Sequence, residues 1–306
     1  MADQSTRIQF GWVFPPGARA TDDRDRFDPG IRRTLQAFAG RLDSAWMTDH
    51  FQWDQDDCLE CMTTLAFYAA LFPQFGWGTI VACQSYRNPA YMAKLASTIQ
   101  FLTGGRLILG IGAGWKEDEY RAYGYDYPAP GVRLDQLEEA VTIFRRMWSL
   151  PAGASFEGRH YRIQDAVNQP SHPRPPVLLI GGGGEKKTLP MAARHADWWN
   201  VTAPEEDYAR KVGILRNECE RIGRDFSSLR CSWFGGIGIG KTPEDIERRT
   251  RDDFCRSLGL VGTPDHIAAR IERYVEIGCT AFMLDTRGIP EPEEVELIAG
   301  LAERFR

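Results

Sequence analysis

The sequence has no long apolar run and no excess of positive charge. None of its apolar stretches reaches the roughly 18 residues that a membrane-spanning helix requires, and its first residues lack the apolar segment of a secretory signal peptide. With 37 Lys and Arg against 42 Asp and Glu, the formal net charge is -5 at pH 7, so electrostatics favours neither nucleic acid nor an anionic membrane as a partner. We therefore predict a soluble, cytoplasmic protein that binds neither.

Cysteine patterns that hold metals are also sparse. Of the seven cysteines, only Cys58 and Cys61 lie close together, as a single C-x-x-C pair without a second pair or a histidine at ligand spacing. A structural zinc site usually takes four cysteine or histidine ligands. Two thiols on a helix face are therefore favoured over zinc binding or redox chemistry, and no metal site is predicted.

What the sequence does contain is a regular alternation of strand and helix patterns. Short apolar runs predict eight strands: Ile8 to Phe14, Ser44 to Met47, Trp77 to Cys83, Leu107 to Leu109, Val177 to Ile180, Asp197 to Val201, Cys231 to Ile239 and Ala281 to Leu284. Apolar or amphipathic helical patterns separate them. Eight such repeats over 306 residues favour an α/β protein with a (β/α)8 TIM-barrel fold over an open, doubly wound sheet.

The alternation is interrupted at residues 149–176. This segment is rich in Pro and Gly, and its FEGRHYRI stretch (residues 156–163) alternates like a strand of a short hairpin. Because the strand and helix rhythm resumes at Val177, we interpret residues 149–176 as an insertion before the fifth strand. The expected organisation is one barrel domain covering residues 1–306.

Two predicted strands run into glycines, and a barrel would place both at its active end. Gly110, Gly112 and Gly114 follow the fourth strand as G-x-G-x-G, without the spacing of the dinucleotide-binding fingerprint, which argues against a Rossmann fold. Glycine has no Cβ atom and lets a flat ligand approach the backbone. Residues 181–184, four glycines between the fifth strand and a helix, are typical of a phosphate-binding loop. A flexible turn is the alternative.

Four fragments, in this order, resemble the luciferase-like monooxygenase superfamily of flavin- and deazaflavin-dependent barrels. They are SAWMTDHF (residues 44–51), RNPAYMAKLASTIQFLTGGRLILGIGAGWKEDEYRAYG (87–124), PPVLLIGGGGEKKTLPMAARHADWWN (175–200) and VGTPDHIAARIERYVEIGCTAFML (261–284). Within that superfamily, SYRNPAY (85–91) and GIGAGWKEDEYRAYGYDYPAPGVRLDQLEEAV (110–141) resemble the branch that uses coenzyme F420, an 8-hydroxy-5-deazaflavin.

The resemblance implies where a cofactor ring would lie. In related enzymes the ring rests at the mouth of the barrel, against the ends of the third and fourth strands. The third strand there carries a non-prolyl cis peptide, and residues 78–81 occupy the matching stretch. The resulting candidates for cofactor binding are Asp49, Ile80, Val81, Gly112, Ala113, Gly114, Trp115, Asp118, Gly181, Gly182, Gly183 and Gly184. Lys186 and Lys187 are either partners of a phosphate or polyglutamate tail, or solvated lysines.

His50 is the candidate catalytic residue. It matches a ring-facing histidine of several deazaflavin-dependent members, and an imidazole can donate a hydrogen bond or move a proton near neutral pH. The alternative is a structural histidine bonded to a backbone carbonyl. Asp49 is expected to orient strand and loop groups rather than act as an acid. Asp118 matches a cofactor-side position, although the acidic run 117–119 also fits a solvated helix start.

The predicted function is a coenzyme F420-dependent oxidoreductase that transfers a hydride between the deazaflavin ring and a small organic substrate. An FMN-dependent luciferase-like monooxygenase is the first alternative, because both chemistries need a flat-ring pocket and a phosphate-binding loop. A non-catalytic flavin-binding barrel is the second. The sequence does not identify the substrate. Superfamily members are commonly dimers, and we expect a homodimer through apolar residues of the second strand–helix unit: Trp46, Trp53, Phe67 and Tyr68.

Overall fold

The computed structural model of the chain describes residues 7–20 and 22–306. The strands are β1 (Gln9–Val13), β2 (Ser44–Met47), β3 (Gly76–Thr79), β4 (Ala82–Cys83), β5 (Leu107–Gly112), β6 (Ala154–Glu157), β7 (Arg162–Ala166), β8 (Val177–Gly181), β9 (Trp198–Val201), β10 (Arg230–Ile239), β11 (Leu260–Gly262) and β12 (Cys279–Asp285). The α-helices are α1 (Phe27–Phe38), α2 (Cys61–Leu71), α3 (Pro89–Leu102), α4 (Glu117–Ala122), α5 (Pro130–Ser149), α6 (Thr188–His195), α7 (Glu205–Arg221), α8 (Pro243–Arg249), α9 (Asp253–Leu258), α10 (Pro264–Ile277) and α11 (Pro292–Glu303).

Eight parallel strands close into a barrel. Their order around it is β1, β2, β3, β5, β8, β9, β10 and β12, and β12 pairs back with β1. The pairing of β9 with β10, in which Trp198 lies opposite Arg230, completes the ring. Closure removes the sheet edges and brings the carboxyl ends of all strands to one face. The predicted (β/α)8 TIM barrel is confirmed.

The third strand differs from the expected continuous strand from Trp77 to Cys83. Gly78 lies opposite Ile108 and Ala82 lies opposite Ile111, so the third strand has one more residue than β5 over this interval. An extra residue interrupts the ladder and bends the strand, which is why the stretch divides into β3 and β4. The peptide bond between the two, Ile80–Val81, is cis, in the stretch where the resemblance implied one.

Trp46 fills the barrel interior and is fully buried. Its indole N–H donates to the hydroxyl group of Ser44 at 2.7 Å. Gly11 and Gly78 make room for the ring, since a Cβ atom on either would lie 2.3 or 2.2 Å from it. The interior is therefore packed, and a larger open volume occurs at the strand ends.

The segment expected as an insertion holds a two-stranded antiparallel sheet of β6 and β7. The FEGRHYRI stretch contains the end of β6, the turn and the start of β7, rather than a strand alone, with Phe156 opposite Ile163. The turn is held by Glu139 of α5, whose carboxylate accepts the backbone N–H groups of Arg159, His160 and Tyr161 at 2.8, 2.9 and 2.9 Å. A carboxylate that accepts three backbone donors anchors the hairpin to the barrel.

The surface expected for a dimer is only partly exposed. Trp46 and Tyr68 are buried within the chain, which corrects their assignment to an exposed face. Trp46 points into the barrel and Tyr68 donates to Asp28 at 2.8 Å. On α2 the exposed apolar side chains are instead Phe67 and Leu71. Within the described residues, we find no helix with the length and apolarity needed to cross a membrane.

Candidate active site

A cavity of about 1030 Å³ lies at the carboxyl ends of the barrel strands. The structure brings these predicted site residues together in its wall: Asp49, His50, Ile80, Val81, Gly112, Ala113, Gly114, Trp115, Gly181, Gly182, Gly183 and Gly184. Asp118 is not in this wall. Its exposed carboxylate pairs with Lys116 and accepts a long hydrogen bond of 3.4 Å from the side chain of Gln52. The second C-x-x-C thiol, Cys61, is buried at the start of α2.

His50 is paired with a carboxylate that the sequence did not single out. Its Nδ1 lies 3.1 and 3.2 Å from the two oxygens of Glu119. Because a carboxylate only accepts hydrogen bonds, Nδ1 carries the proton in this contact, and Nε2 of the neutral ring is left unprotonated. The ring thus offers a proton acceptor with a fixed tautomer.

Glu119 is ionised although its side chain is fully buried. Its oxygens also accept the backbone N–H groups of Phe51 and Gln52, at 3.2 and 3.3 Å, and the hydroxyl group of Tyr86 at 2.5 Å. Burial acts to raise the pKa of Glu119, but the hydrogen bonds from His50 and Tyr86 outweigh it and lower the pKa below its ordinary value. The cavity wall therefore holds a negative charge beside His50.

The acidic residues at the start of α4 face two different environments. Glu117 is solvated and pairs with Arg121 one turn later, as a solvated helix start predicts. Glu119 contradicts that interpretation because it points inward. Successive side chains of a helix are about 100° apart, so Glu117 and Glu119 face nearly opposite sides. The buried neighbour Tyr120 continues the inward face.

Aromatic rings hold the His50 side chain from two directions. The ring centroid of Trp53 lies 4.8 Å from that of His50, and the centroid of Trp115 lies 6.0 Å away, both in T-shaped contacts. Such edge-to-face contacts are favourable and directional. We expected Trp53 at a dimer interface, whereas it lines the cavity.

Asp49 makes structural contacts within the cavity wall. Arg87 binds both of its oxygens, at 2.7 and 2.9 Å, and the backbone N–H of Cys83 donates to it at 2.9 Å. Arg87 also pairs with Glu60 at 2.5 Å. Burial acts to lower the pKa of Arg87, but the contacts with Asp49 and Glu60 prevail and raise it. The loop after β2 is thereby tied to the loop after β4, as expected for an orienting residue.

The glycines of β5 and β8 have a packing role that the sequence did not reveal. The side chain of Val81 lies between Gly112 and Gly181, and a Cβ atom on these glycines would approach it to 2.8 and 2.7 Å. A larger residue at either position would push Val81 away. The glycines therefore allow the bulged third strand to sit against its neighbours.

The glycine loop 181–184 is supported from below by a buried lysine. Nζ of Lys211 donates to the carbonyl oxygen of Gly183 at 3.0 Å. Gly182 has φ 128°, a conformation that side chains rarely tolerate. The N–H groups of Gly183 and Gly184 donate to no backbone oxygen within residues 7–20 and 22–306. Lys187 points elsewhere, since its ammonium group pairs with Asp135 at 2.5 Å.

The opposite wall contains a group of arginines and carboxylates. Arg287 binds Asp252 at 2.5 Å and Asp285 at 2.8 Å. Burial raises the pKa of Asp285, and its contacts with Arg287 act in the opposite direction. Arg251 binds both oxygens of the buried Glu294, at 3.0 and 2.8 Å. The side chain of Arg19 donates to the backbone carbonyl of Arg287.

The most important residue that sequence reasoning missed is Glu119. Tyr86 and Trp53 are further residues of the cavity wall that were not among the predicted site residues. A signal for Glu119 was available in the pair Glu119–Tyr120, because a tyrosine after two solvated acids marks the inward face of a helix. For Tyr86 and Trp53 the sequence holds no such signal, since both lie outside regular helices or barrel strands.

The chain belongs to the luciferase-like monooxygenase family, whose profile matches residues 8–257. Among curated proteins, the F420-dependent glucose-6-phosphate dehydrogenase of Kineococcus radiotolerans is 35% identical over 187 residues, covering 58% of this chain and 54% of that protein. The F420-dependent hydroxymycolic acid dehydrogenase of Mycobacterium tuberculosis is 29% identical over 239 residues, covering 76% and 63%. The match thus spans between about half and two thirds of the length of these relatives.

A solved structure of an F420-dependent secondary alcohol dehydrogenase, in complex with an F420–acetone adduct, has the same fold. The TM-score is 0.81 at 17% sequence identity, and the match covers 98% of this chain and 99% of that one. At this identity the likeness concerns the architecture of the barrel.

Proposed function

We propose that this protein is an oxidoreductase that uses coenzyme F420 and transfers a hydride between the deazaflavin ring and a small organic substrate. The observation that carries the proposal is the pair of His50 and Glu119 in the cavity wall, 3.1 Å apart. It provides an oriented proton acceptor beside a volume large enough for a ring and a substrate. Relatives named as F420-dependent dehydrogenases support deazaflavin over FMN.

The residues of the cavity fit a tricyclic ring with a phosphorylated side chain. Glycines 181–184 precede α6, and the N–H groups of Gly183 and Gly184, unpaired with backbone oxygens of the described residues, suit an anion. Thr188, the first residue of α6, lines the same wall and adds a hydroxyl group. In this proposal that loop holds the phosphate. Val81 and Ala113, at the strand ends, hold one face of the ring.

The chain itself handles the proton that accompanies the hydride. A bound deazaflavin supplies the two-electron chemistry by accepting or giving a hydride. Nε2 of His50 accepts the proton of a substrate hydroxyl group during oxidation and returns it to a carbonyl oxygen during reduction. Glu119 fixes the tautomer and stabilises the imidazolium that forms, because its carboxylate is charged and 3.1 Å away.

Two further features keep His50 in position for this proton transfer. The rings of Trp53 and Trp115 pack against the imidazole in T-shaped contacts and restrict its rotation, so that Nε2 keeps one direction. The bridge from Arg87 to Asp49, the residue before His50, fixes the backbone on which His50 is carried. A general base must stay within hydrogen-bonding distance of the proton it takes, and rigid support of the loop provides this.

The test is to titrate the purified protein with F420 and with FMN, following the fluorescence of each ring. We expect F420 to bind more tightly than FMN. Tight binding of FMN alone would favour the monooxygenase alternative, and binding of neither would reject both. With F420 bound, turnover of a secondary alcohol, followed by absorbance of the deazaflavin, distinguishes an enzyme from a non-catalytic flavin-binding barrel.

A further inference from the structure

The cavity wall that lies across from the glycine loops includes three segments with one arginine each. These are the loop after β1 with Arg19, the segment around the start of α9 with Arg251, and the loop after β12 with Arg287. If the cofactor occupies the loops of β5 and β8, as proposed above, a substrate meets this second wall. Its chemistry then indicates the class of substrate.

Two of the three guanidinium groups are already neutralised. Arg287 is held between the carboxylates of Asp252 and Asp285, and its guanidinium carbon lies 5.3 Å from the ring centroid of Phe254. Arg251 faces both oxygens of Glu294, whose side chain has no exposed surface. Arg19 donates to a backbone carbonyl instead. Among residues 7–20 and 22–306, no two arginines without a carboxylate partner face the cavity together.

A site for a phosphate group needs the opposite arrangement. Phosphate is bound by arginine or lysine donors that are not committed elsewhere, often two at a time. Here a phosphate would have to displace a carboxylate from Arg287 or lie near Asp56, which lines the cavity and accepts the backbone N–H of Ala20, next to Arg19, at 2.8 Å. Like charges brought together in a partly buried site are unfavourable.

The wall also has an apolar part. It includes Pro15, Pro16, Phe234 and Phe254, and the rings of Phe234 and Phe254 lie 5.9 Å apart. Such surfaces bind neutral carbon chains or rings by burial of apolar area. We infer that the substrate is a neutral, mainly apolar secondary alcohol or the corresponding ketone, and that phosphorylated sugars are excluded. This inference rests on the proposed function.

The reaction is balanced as a two-electron exchange. The carbinol carbon loses a hydride to oxidised deazaflavin, and the hydroxyl proton passes to Nε2 of His50. The products are a ketone, the reduced deazaflavin and a protonated imidazole, and ketone reduction is the reverse. No charge is required on the substrate at any step, in keeping with a wall that offers no open cation pair.

The experiment uses the protein with F420 bound, so that the glycine loop is occupied and does not itself capture anions. F420 binding is measured first, and its absence rejects the proposed function rather than this inference. The substrates are 2-butanol and 2-octanol as neutral alcohols, lactate as a charged secondary alcohol, and glucose 6-phosphate. We expect kcat/KM for the better neutral alcohol to exceed that for either anion by about 30-fold or more, the least effect typical of an unpaired charge at a binding surface.

Two outcomes overturn the inference. One is a higher kcat/KM for glucose 6-phosphate than for both neutral alcohols. The other is turnover of neither neutral alcohol by protein that binds F420. Calorimetry with inorganic phosphate adds a readout independent of turnover: the inference expects no binding at millimolar concentration, and saturable binding there contradicts it.

A pair of variants tests the neutralised arginine directly. Asp252 is the N-cap of α9 and accepts the backbone N–H of Cys255 at 2.8 Å, so Asp252→Asn keeps the cap while removing the charge from Arg287. We expect the phosphate concentration that inhibits this variant to be at least about 10-fold below the one that inhibits the wild type. A charge-assisted hydrogen bond contributes at least that factor. Asp253→Asn removes one negative charge from the next residue, whose side chain is exposed. Phosphate should inhibit this variant at the same concentration as the wild type. Equal phosphate sensitivity of the two variants would contradict the role assigned to the pairing.

Discussion

The hydroxyl group of Tyr86 donates a hydrogen bond of 2.5 Å to Oε2 of Glu119, and both side chains are buried. A buried carboxylate usually takes up a proton, but this one is surrounded by donors on both oxygens. Burial and the contact with Glu119 together raise the pKa of Tyr86, so the hydroxyl group stays protonated. The charge on Glu119 and the tautomer of His50 are therefore set by the same cluster.

Glu119→Gln should change how stability depends on pH. Because the pKa of Glu119 is lowered from its ordinary value of 4.5, the ionised carboxylate stabilises the folded protein at neutral pH. That contribution is fully present above 4.5 and is lost as the pH falls through the folded-state pKa. The difference in free energy of unfolding between wild type and variant should thus shrink as the pH is lowered from about 7 to about 3. Urea unfolding at several pH values measures it.

The matched control for this experiment is Glu117→Gln, an exposed acid on the same helix. It should change the free energy of unfolding by about 0.5 kcal/mol or less at neutral pH. A pH-independent difference for Glu119→Gln would show that the carboxylate is not ionised in the folded protein.

His50→Ala should lower turnover by about 10²–10⁴-fold, the usual effect of losing a positioned acid or base. The variant should remain folded, although its free energy of unfolding should fall by roughly 1–3 kcal/mol because Glu119 loses one hydrogen-bond donor. Melting and turnover are measured on the same preparation, with the exposed His266→Ala as control. Normal turnover in folded His50→Ala protein would remove His50 from the mechanism and leave Tyr86 or bound water as the proton donor.

Arg87→Met should destabilise the protein by about 3–5 kcal/mol, because it leaves the buried carboxylate of Asp49 without its partner. The side chain of Asp49 is fully buried and that of Arg87 is only 8% exposed. Arg121→Met breaks an exposed ion pair with Glu117, one helical turn away, and should lower the free energy of unfolding by about 0.5 kcal/mol or less. Chemical denaturation measures the free energy of unfolding of both variants. Similar losses in Arg87→Met and Arg121→Met would contradict the structural role of Asp49.

Gly183→Val should weaken F420 binding. A Cβ atom there would lie 2.9 Å from Cε of Lys211 and 3.1 Å from Val201, so the lysine side chain must move and its hydrogen bond to the carbonyl oxygen of Gly183 is weakened, at a cost of about 1 kcal/mol. Gly213→Ala is the control, since a Cβ atom in the middle of α7 meets nothing within 4 Å. It should raise stability by about 0.5–1 kcal/mol. Fluorescence titration and thermal melting follow both variants, and unchanged F420 affinity in Gly183→Val would exclude this loop from the binding site.

We expect a homodimer that buries the outer face of α2. Its sequence CMTTLAFYAAL carries no charge, and the side chains of Phe67 and Leu71 are 51% and 44% exposed. Phe67→Glu should then shift the protein toward monomers, as measured by light scattering at micromolar concentration. Leu150→Glu, which charges an equally exposed apolar residue outside α2, should leave the mass unchanged. A monomeric wild type would contradict the prediction.

Regular, local features of the sequence were sufficient to predict the barrel. Asn88 before Pro89 predicts the start of α3, and in the structure its side chain accepts the N–H groups of Ala90 and Tyr91 at 2.9 and 3.3 Å. The short elements α9 and β11 were not predicted. They have six and three residues, so each spans too little of a hydrophobic period to be recognised.

The sequence by itself therefore determined the order of strands and helices, the barrel, and the loops that meet at its mouth, because each depends on periodicity and turn residues close together in the chain. Only the tertiary structure decided that Glu119 meets His50, 69 positions away, and that Arg287 is neutralised by Asp252, 35 positions away. It also decided that Val81 lies between Gly112 and Gly181. Such pairings depend on which side chains the closed barrel brings within a few ångströms, and no local pattern encodes them.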